Sequence, residues 1–156
     1  MCITSGVPAH VLIVDDEPSL RDVMADIMVG EGYRVTTAVD GIRGLERLRE
    51  ERPDLIVLDL MMPVLDGWAF VEACREIADR DIPIIGVSAC MTADVAARLR
   101  NHGVEVCFAK PFDLGELLDC ARSMASPGQR LHLGQQPGRP PGHHLHEVGR
   151  SPRNLG

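Results

Sequence analysis

The sequence predicts an α/β domain built around a parallel sheet of five strands, and three observations support this fold class. Short, almost fully apolar runs alternate along the chain with segments whose apolar residues recur at helical spacing. Five such strand and helix pairs lie between residues 10 and 125. The runs lack the alternation of a half-exposed sheet, as expected when helices cover both faces of parallel strands.

The predicted strands are short and rich in β-branched residues. They comprise residues 10–14, 34–38, 55–58, 84–87 and 106–109. Parallel strands need crossover connections of about a dozen residues or more, and the helical segments between these runs can supply them.

The predicted helices are amphipathic. The first covers residues 18–29, beginning with Pro18 in a permitted first-turn position and ending at Gly30. Thr92 is the expected N-cap of the fourth helix, and Gly67 lies in the turn that enters the third, where it is free to adopt a positive φ. The apolar residues at helical spacing are, helix by helix, Leu20, Val23, Met24, Ile27 and Met28; Ile42, Leu45 and Leu48; Phe70, Val71, Cys74 and Ile77; Val95, Ala96 and Leu99; Leu114, Leu117, Leu118 and Ala121.

The composition of the chain limits which classes of function are plausible. The 156 residues, 45% hydrophobic and 25% charged, match one globular domain, and a net charge of −7 makes a nucleic acid a poor direct partner. The first apolar run, 11–14, is too short for a signal peptide or a membrane span, which predicts a cytoplasmic protein. Without C-x-x-C spacing, the cysteines are expected to be reduced thiols: Cys2, Cys74, Cys90, Cys107 and Cys120.

Residues 126–156 differ in composition from the rest of the chain. Proline and glycine interrupt any periodicity there, so we expect a domain over 1–125, with its core at 10–124, followed by a disordered tail. The tail holds four of the six histidines and is net positive. A metal-binding or acidic-partner role for it stays open beside the simpler interpretation of a solvated tail.

Polar and charged residues stand at the carboxyl ends of the predicted strands, where functional residues of parallel sheets collect. Asp15, Asp16 and Glu17 follow the first strand and Asp59 the third; Ser88 follows the fourth strand and Lys110 the fifth. Each residue alone has an ordinary explanation, such as an N-cap or a solvated charge. Four strand ends that carry such residues on one sheet edge are harder to explain by capping.

Clustered carboxylates repel one another unless a cation neutralises them, and oxygen ligands suit Mg²⁺. With such an ion, Asp59 would act as a nucleophile toward phosphorus. Lys110 would stabilise a peripheral phosphoryl oxygen, and Ser88 would donate a hydrogen bond. The pattern therefore indicates a phosphoryl-transfer site.

The order of the segments VLIVDDEPSLRD, PDLIVLDLMMPVLDGWAF, PIIGVSA and GVEVCFAKPFD resembles the bacterial response regulator receiver family over residues 10 to about 124. The resemblance implies a flavodoxin-like doubly wound (βα)5 sandwich with strand order 2-1-3-4-5. It also implies phosphorylation on Asp59 and a Mg²⁺ site formed by Asp15, Asp16, Asp59 and the Met61 carbonyl. Ser88 and Lys110 match the hydroxyl and lysine of the family, and the Lys110–Pro111 peptide is expected to be cis.

One position departs from the family pattern. Receivers usually carry Tyr or Phe three residues before the lysine, and Cys107 stands there. Phe108 is expected to face the opposite side of its strand, so it cannot substitute. The usual aromatic switch is therefore in doubt.

The resemblance implies a signalling domain rather than an enzyme. It would accept phosphate from a sensor histidine kinase or a histidine phosphotransfer protein and act by contact with a downstream target protein; a phosphorylation-dependent homodimer stays open. A tail of about thirty residues is too short for a DNA-binding core. A Mg²⁺-dependent phosphohydrolase would need a carboxylate where Met61 stands. A receiver that binds partners without phosphate is disfavoured by Asp16, Asp59 and Lys110, although Cys107 leaves it open.

Overall fold

A parallel sheet separates two helical layers in the computed structural model, which describes residues 7–62, 64–77, 82–104 and 106–125. Within these residues the sheet has five strands in the order β2-β1-β3-β4-β5. The strands are β1 His10–Val14, β2 Arg34–Ala38, β3 Leu55–Asp59, β4 Ile84–Ser88 and β5 Val106–Ala109. The helices are α1 Pro18–Gly30, α2 Gly41–Glu50, α3 Gly67–Ile77, α4 Ala93–Asn101 and α5 Leu114–Met124. The predicted flavodoxin-like doubly wound architecture is thus confirmed.

The hydrophobic core is divided by the sheet into two clusters. On one face, Leu12, Ile56 and Ile84 pack with residues of α2, α3 and α4. On the other face, Val57 and Ile85 pack with residues of α1 and α5. Strands β1, β3 and β4 are buried at every position, because both of their faces are covered.

Two apolar residues assigned to helix faces by periodicity are exposed. Val23 lies at the edge of the apolar stripe of α1, which buries Met24 and Met28 instead. Ile42 points outward from α2 because that helix approaches the core through Gly44. A Cβ on Gly44 would lie 2.8 Å from a ring carbon of Phe70, so the close contact needs a residue without a side chain.

Gly67 does not use the freedom to adopt a positive φ that its place in the turn suggested. Among the described residues, positive φ occurs at Gly32, Gly103 and Val64. Gly67 serves close packing instead, since a Cβ there would lie 2.6 Å from the Cα of Leu60. The turn into α3 therefore requires glycine for space rather than for backbone conformation.

The N-cap of α4 is Thr92, the residue that the sequence predicts. The side chain of Thr92 accepts a hydrogen bond from the N–H of Val95 at 3.2 Å, as an N-cap does. Among the described cysteines, all free, Cys74 is buried and Cys90 is exposed. The helices in the described part of the chain are all too short or too polar to serve as membrane spans. The predicted tail 126–156 lies outside the described residues, as does Cys2.

Candidate functional site

Three carboxylates meet at the carboxyl edge of the sheet. Asp15 and Asp16 follow β1 and Asp59 ends β3, and one carboxylate oxygen of each lies within 4.8 Å of the others. The central position of β1 and β3 in the sheet places these strand ends side by side. Asp15 and Asp59 are buried, with 1% and 3% of their surface exposed, while Asp16 is exposed. The group is thus open to solvent on the Asp16 side.

The main chain and side chain of Asp15 are held by several hydrogen bonds. Its N–H donates to the carbonyl of Ala38 in β2 at 3.2 Å. One carboxylate oxygen accepts from the N–H of Glu17 at 2.8 Å, and the carbonyl oxygen accepts from the guanidinium of Arg21, also at 2.8 Å. These contacts fix the corner between β1 and α1.

Lys110 brings a positive charge to the three carboxylates. Its Nζ lies 3.3 Å from Asp59 Oδ2, 3.5 Å from Asp15 Oδ2 and 3.8 Å from Glu17 Oε1. The main-chain N–H of Lys110 donates to the carbonyl of Ser88 at 2.9 Å, which extends the pairing of β5 with β4. The following peptide bond to Pro111 is cis, as the sequence resemblance implied.

Burial and like charges change the protonation of the site. Burial raises the pKa of Asp59 to about 6, and the Asp15 carboxylate also raises it, whereas the N–H of Met61 and the ammonium of Lys110 lower it. Burial likewise raises the pKa of Asp15. For Lys110, burial acts to lower the pKa, but attraction by Asp59 and Asp15 outweighs it and the pKa is raised. The folded state therefore disfavours the ionised forms of Asp59 and Asp15.

The two other predicted site residues also lie at this edge. The N–H of Met61 donates to Asp59 Oδ1 at 3.0 Å, so the loop after β3 folds back on the carboxylate. Ser88 ends β4, between β3 and β5, and is 1% exposed. Its hydroxyl oxygen accepts from the N–H of Cys90 at 3.0 Å, which anchors the loop that leads to α4.

Cys107 and Phe108 face opposite sides of the sheet. Cys107 pairs with Gly86 of β4 and packs against the cluster that contains Leu99 of α4. Phe108 packs against the cluster on the side of α1 and α5, and its ring centroid lies 5.9 Å from that of Phe112. The alternation expected along β5 is confirmed, and the side facing α4 carries a small thiol.

The donors at this edge fit a hard divalent cation. Among the described groups, the ammonium of Lys110 lies within 3.8 Å of the carboxylates of Asp15, Glu17 and Asp59, and the Asp16 carboxylate lies beside those of Asp15 and Asp59. Carboxylate oxygens are the ligands that Mg²⁺ prefers, and the excess negative charge would favour its binding.

Two contacts at this edge were not predicted from sequence. One is the hydrogen bond from Arg21 to the Asp15 carbonyl, and the other is the approach of Glu17 to Lys110. A signal for the first is present in the sequence, because a basic residue in the first turn of a helix lies at the unfavourable end of the helix dipole.

The fold and its acidic edge define a doubly wound α/β domain with an oxygen-rich site at its strand ends. The sequence profile of the response regulator receiver domain matches residues 11–122. The solved structure of chemotaxis protein CheY4 from Vibrio cholerae superimposes with a TM-score of 0.71 at 30% identity, covering 76% of this chain and 99% of that one. The chain belongs to the response regulator receiver family.

Two relatives differ in how much of their length is shared. Transcriptional regulatory protein PrrA of Mycobacterium tuberculosis is 42% identical over 118 residues, which make up 74% of this chain and 49% of PrrA. Sporulation initiation phosphotransferase F of Bacillus subtilis is 33% identical over 112 residues, 72% of this chain and 90% of that protein. This chain therefore spans about half the length of PrrA and nearly all of the second relative.

Proposed function

We propose that this receiver domain accepts a phosphoryl group on Asp59 in a Mg²⁺-dependent reaction and signals by binding another protein. The observation that carries the proposal is the position of Asp59, whose carboxylate lies among Asp15, Asp16 and Lys110. One edge of the sheet then holds a nucleophile, a set of hard oxygen ligands and the ammonium of Lys110. The domain over residues 1–125 would carry out this role in a cytoplasmic protein.

Asp15, Asp16, Asp59 and the main-chain carbonyl of Met61 would hold the Mg²⁺ ion. When bound, the ion would supply positive charge that keeps the carboxylates ionised and screens an incoming phosphoryl group. As the sequence resemblance implies, Asp15 would act through a water molecule. The exposed Asp16 would bind the Mg²⁺ ion directly.

The transfer itself would be carried out by Asp59. A carboxylate oxygen of Asp59 forms a bond to phosphorus while the bond between phosphorus and the donor histidine nitrogen breaks, and the electron pair leaves on the imidazole. Lys110 Nζ, 3.3 Å from Asp59 Oδ2, would stabilise a peripheral phosphoryl oxygen. The Ser88 hydroxyl would donate a hydrogen bond to another, leaving its contact with Cys90.

The output step would pass through the β4 to α4 loop. If Ser88 turns toward the phosphoryl group, the N–H of Cys90 loses its acceptor and the loop that precedes α4 is released. With Cys107 in place of the usual aromatic residue, this loop is the main route by which the change reaches α4 and β5. The surface formed by α4, β5 and α5 would then bind the downstream protein or a second copy of the domain.

The proposed donors are a sensor histidine kinase or a histidine phosphotransfer protein. The Bacillus subtilis relative is named as a phosphotransferase, which supports a relay of this kind for the present domain. The PrrA relative is named as a transcriptional regulator, and this chain matches about half of it. Protein contact is therefore the output we favour for residues 1–125.

Intact mass spectrometry tests the proposal. After incubation with acetyl phosphate and Mg²⁺, the wild-type chain should gain one phosphoryl mass and Asp59→Asn none. Asp26→Asn, which changes an exposed carboxylate on α1, is the matched control and should behave as the wild type. Equal modification of Asp59→Asn and Asp26→Asn would reject Asp59 as the acceptor.

A further inference from the structure

The corner between β1 and α1 carries two of the three clustered carboxylates, yet α1 lacks a capping side chain. Glu17 occupies the N-cap position without a side-chain hydrogen bond to the helix, and Pro18 follows in the first turn. N-cap side chains normally fix the direction in which the chain enters a helix. Other contacts must therefore hold Asp15 and Asp16 in place.

Arg21 makes such a contact. Its main-chain N–H donates to the carbonyl of Glu17 at 3.0 Å within the first turn of α1. Its side chain folds back, and Nη1 donates to the carbonyl of Asp15 at 2.8 Å in a partly buried hydrogen bond. The guanidinium thus joins the helix to the residue that directly follows β1.

The position of Arg21 is unfavourable for a cation by itself. A positive charge in the first turn of a helix opposes the helix dipole and is disfavoured there. A basic residue there is explained by the hydrogen bond to Asp15, because a charge-assisted hydrogen bond is stronger than a neutral one.

Arg21 is one of several contacts that hold Asp15. Its carboxylate contacts Glu17 and Lys110, and its N–H pairs with Ala38. The carbonyl is the one polar group of Asp15 held by a long side chain from α1. The peptide plane that contains this carbonyl also contains the nitrogen of Asp16, so rotating it would redirect Asp16 as well.

We propose that Arg21 is a positioning residue for the acidic site: by holding the Asp15 carbonyl, it keeps the carboxylates of Asp15 and Asp16 turned toward Asp59. This inference rests on the proposed function, in which these carboxylates hold Mg²⁺. Arg21 touches neither the phosphoryl group nor the ion in this role.

Calorimetric titration of the full chain with MgCl₂ tests the inference. Arg21→Met removes the donor and keeps the length of the side chain, so Mg²⁺ affinity should fall by about tenfold, as for outer-shell partners of metal ligands. Arg21→Lys, which keeps charge and a donor, should restore most of the loss. Arg47→Met is the matched control, because it removes an exposed arginine paired with Glu50 on α2, and its affinity should equal that of the wild type.

A spectroscopic measurement in the absence of metal separates positioning from a loss of stability. The ¹⁵N shift of Asp16 reports on the carbonyl of Asp15, so it should change in Arg21→Met, return toward the wild-type value in Arg21→Lys and stay constant in Arg47→Met. An unchanged Asp16 signal in Arg21→Met would overturn the inference even if Mg²⁺ binding were weaker.

Asp16→Asn distinguishes the two ways in which the account can fail. If Asp16→Asn weakens Mg²⁺ binding and Arg21→Met matches Arg47→Met, the positioning role is wrong and the metal site stands. If Asp16→Asn and Arg21→Met both bind Mg²⁺ as the wild type does, the assignment of the metal site is wrong, and the inference falls with it.

Discussion

Lys110 reaches across β4 to Asp59, with its Nζ 3.3 Å from Asp59 Oδ2, and so links the ends of β5 and β3. It is the only lysine in the sequence, in which every other basic side chain besides histidine is arginine. A compact ammonium fits among three carboxylates where a planar guanidinium would need more room. The positive charge of Lys110 therefore already lies beside the Asp59 carboxylate in this structure.

Replacing Lys110 should therefore impair phosphorylation more than folding. We expect Lys110→Met to slow phosphoryl uptake from acetyl phosphate by about 10-fold to 100-fold at saturating Mg²⁺, because a charge that stabilises the transferring group is lost. Rates of uptake by intact mass spectrometry provide the measurement. Arg43→Met, which removes an exposed ion pair with Glu46, is the control. Equal rates for the two variants would exclude Lys110 from the reaction.

The crowded carboxylates should lower the stability of the metal-free domain at neutral and higher pH. The pKa of Asp59 is raised to about 6, so the folded state disfavours its ionised form. The resulting loss of stability is absent below the pKa of the unfolded state and complete above pH 6. Asp59→Asn should raise the free energy of unfolding by about 1–3 kcal/mol near pH 8 and change it little near pH 4.

Urea denaturation in the presence of EDTA at the two pH values checks this prediction. Asp26→Asn serves again as the control, since it removes an exposed carboxylate. A gain for Asp59→Asn that is the same at both pH values would show that ionisation is not its cause.

His10 should make the free energy of unfolding fall as the pH decreases, for a reason unrelated to the acidic site at the sheet edge. This side chain is buried at the start of β1, with Nε2 2.7 Å from the hydroxyl of Thr36. Burial lowers the pKa of His10, and so does the charge of Arg34. The charges of Glu51 and Asp54 act to raise it, but the net effect is a lowered pKa. Protonation of His10 is therefore disfavoured in the folded state. The stability that neutral His10 contributes is complete above the pKa of the unfolded state and is lost as the pH falls toward the pKa of the folded state.

His10→Gln should accordingly flatten the pH dependence of unfolding below about pH 6.5, the ordinary pKa of histidine. Thermal unfolding followed by circular dichroism at a series of pH values measures the effect. His102→Gln is a suitable comparison, because that imidazole is less deeply buried. Parallel pH profiles for the wild type and His10→Gln would contradict the prediction.

Gly67 should tolerate no side chain. Gly67→Ala would place a Cβ 2.6 Å from the Leu60 Cα, a backbone atom that cannot move aside easily, and we expect a loss of about 1–3 kcal/mol. Gly30→Ala meets nothing within 4 Å and should raise stability by up to about 1 kcal/mol. Chemical denaturation of the two variants checks both signs, and a neutral Gly67→Ala would refute the packing argument.

Much of this architecture can be predicted from sequence because burial on both faces produces a recognisable pattern. The strand predicted at 55–58 extends by one residue, to Asp59, and the helix predicted at 18–29 extends to Gly30. Strand ends also indicated the site, since the carboxyl ends of parallel strands share one edge.

What sequence reasoning missed depends on three-dimensional packing. The exposure of Ile42 follows from glycines that let α2 approach Phe70 and Leu65, which periodicity alone does not reveal. The contact of Arg21 with Asp15 likewise depends on how a side chain folds back over a helix turn. The spacing of these residues along the chain does not determine such contacts.

The most direct test of the account is to locate the phosphoryl group chemically. An acyl phosphate on aspartate is reduced by borohydride to homoserine, which peptide sequencing by mass spectrometry can identify. After incubation with acetyl phosphate and Mg²⁺, we predict homoserine at position 59 and aspartate at positions 15, 16 and 54. Homoserine at any of those other positions, with aspartate intact at 59, would contradict the central claim.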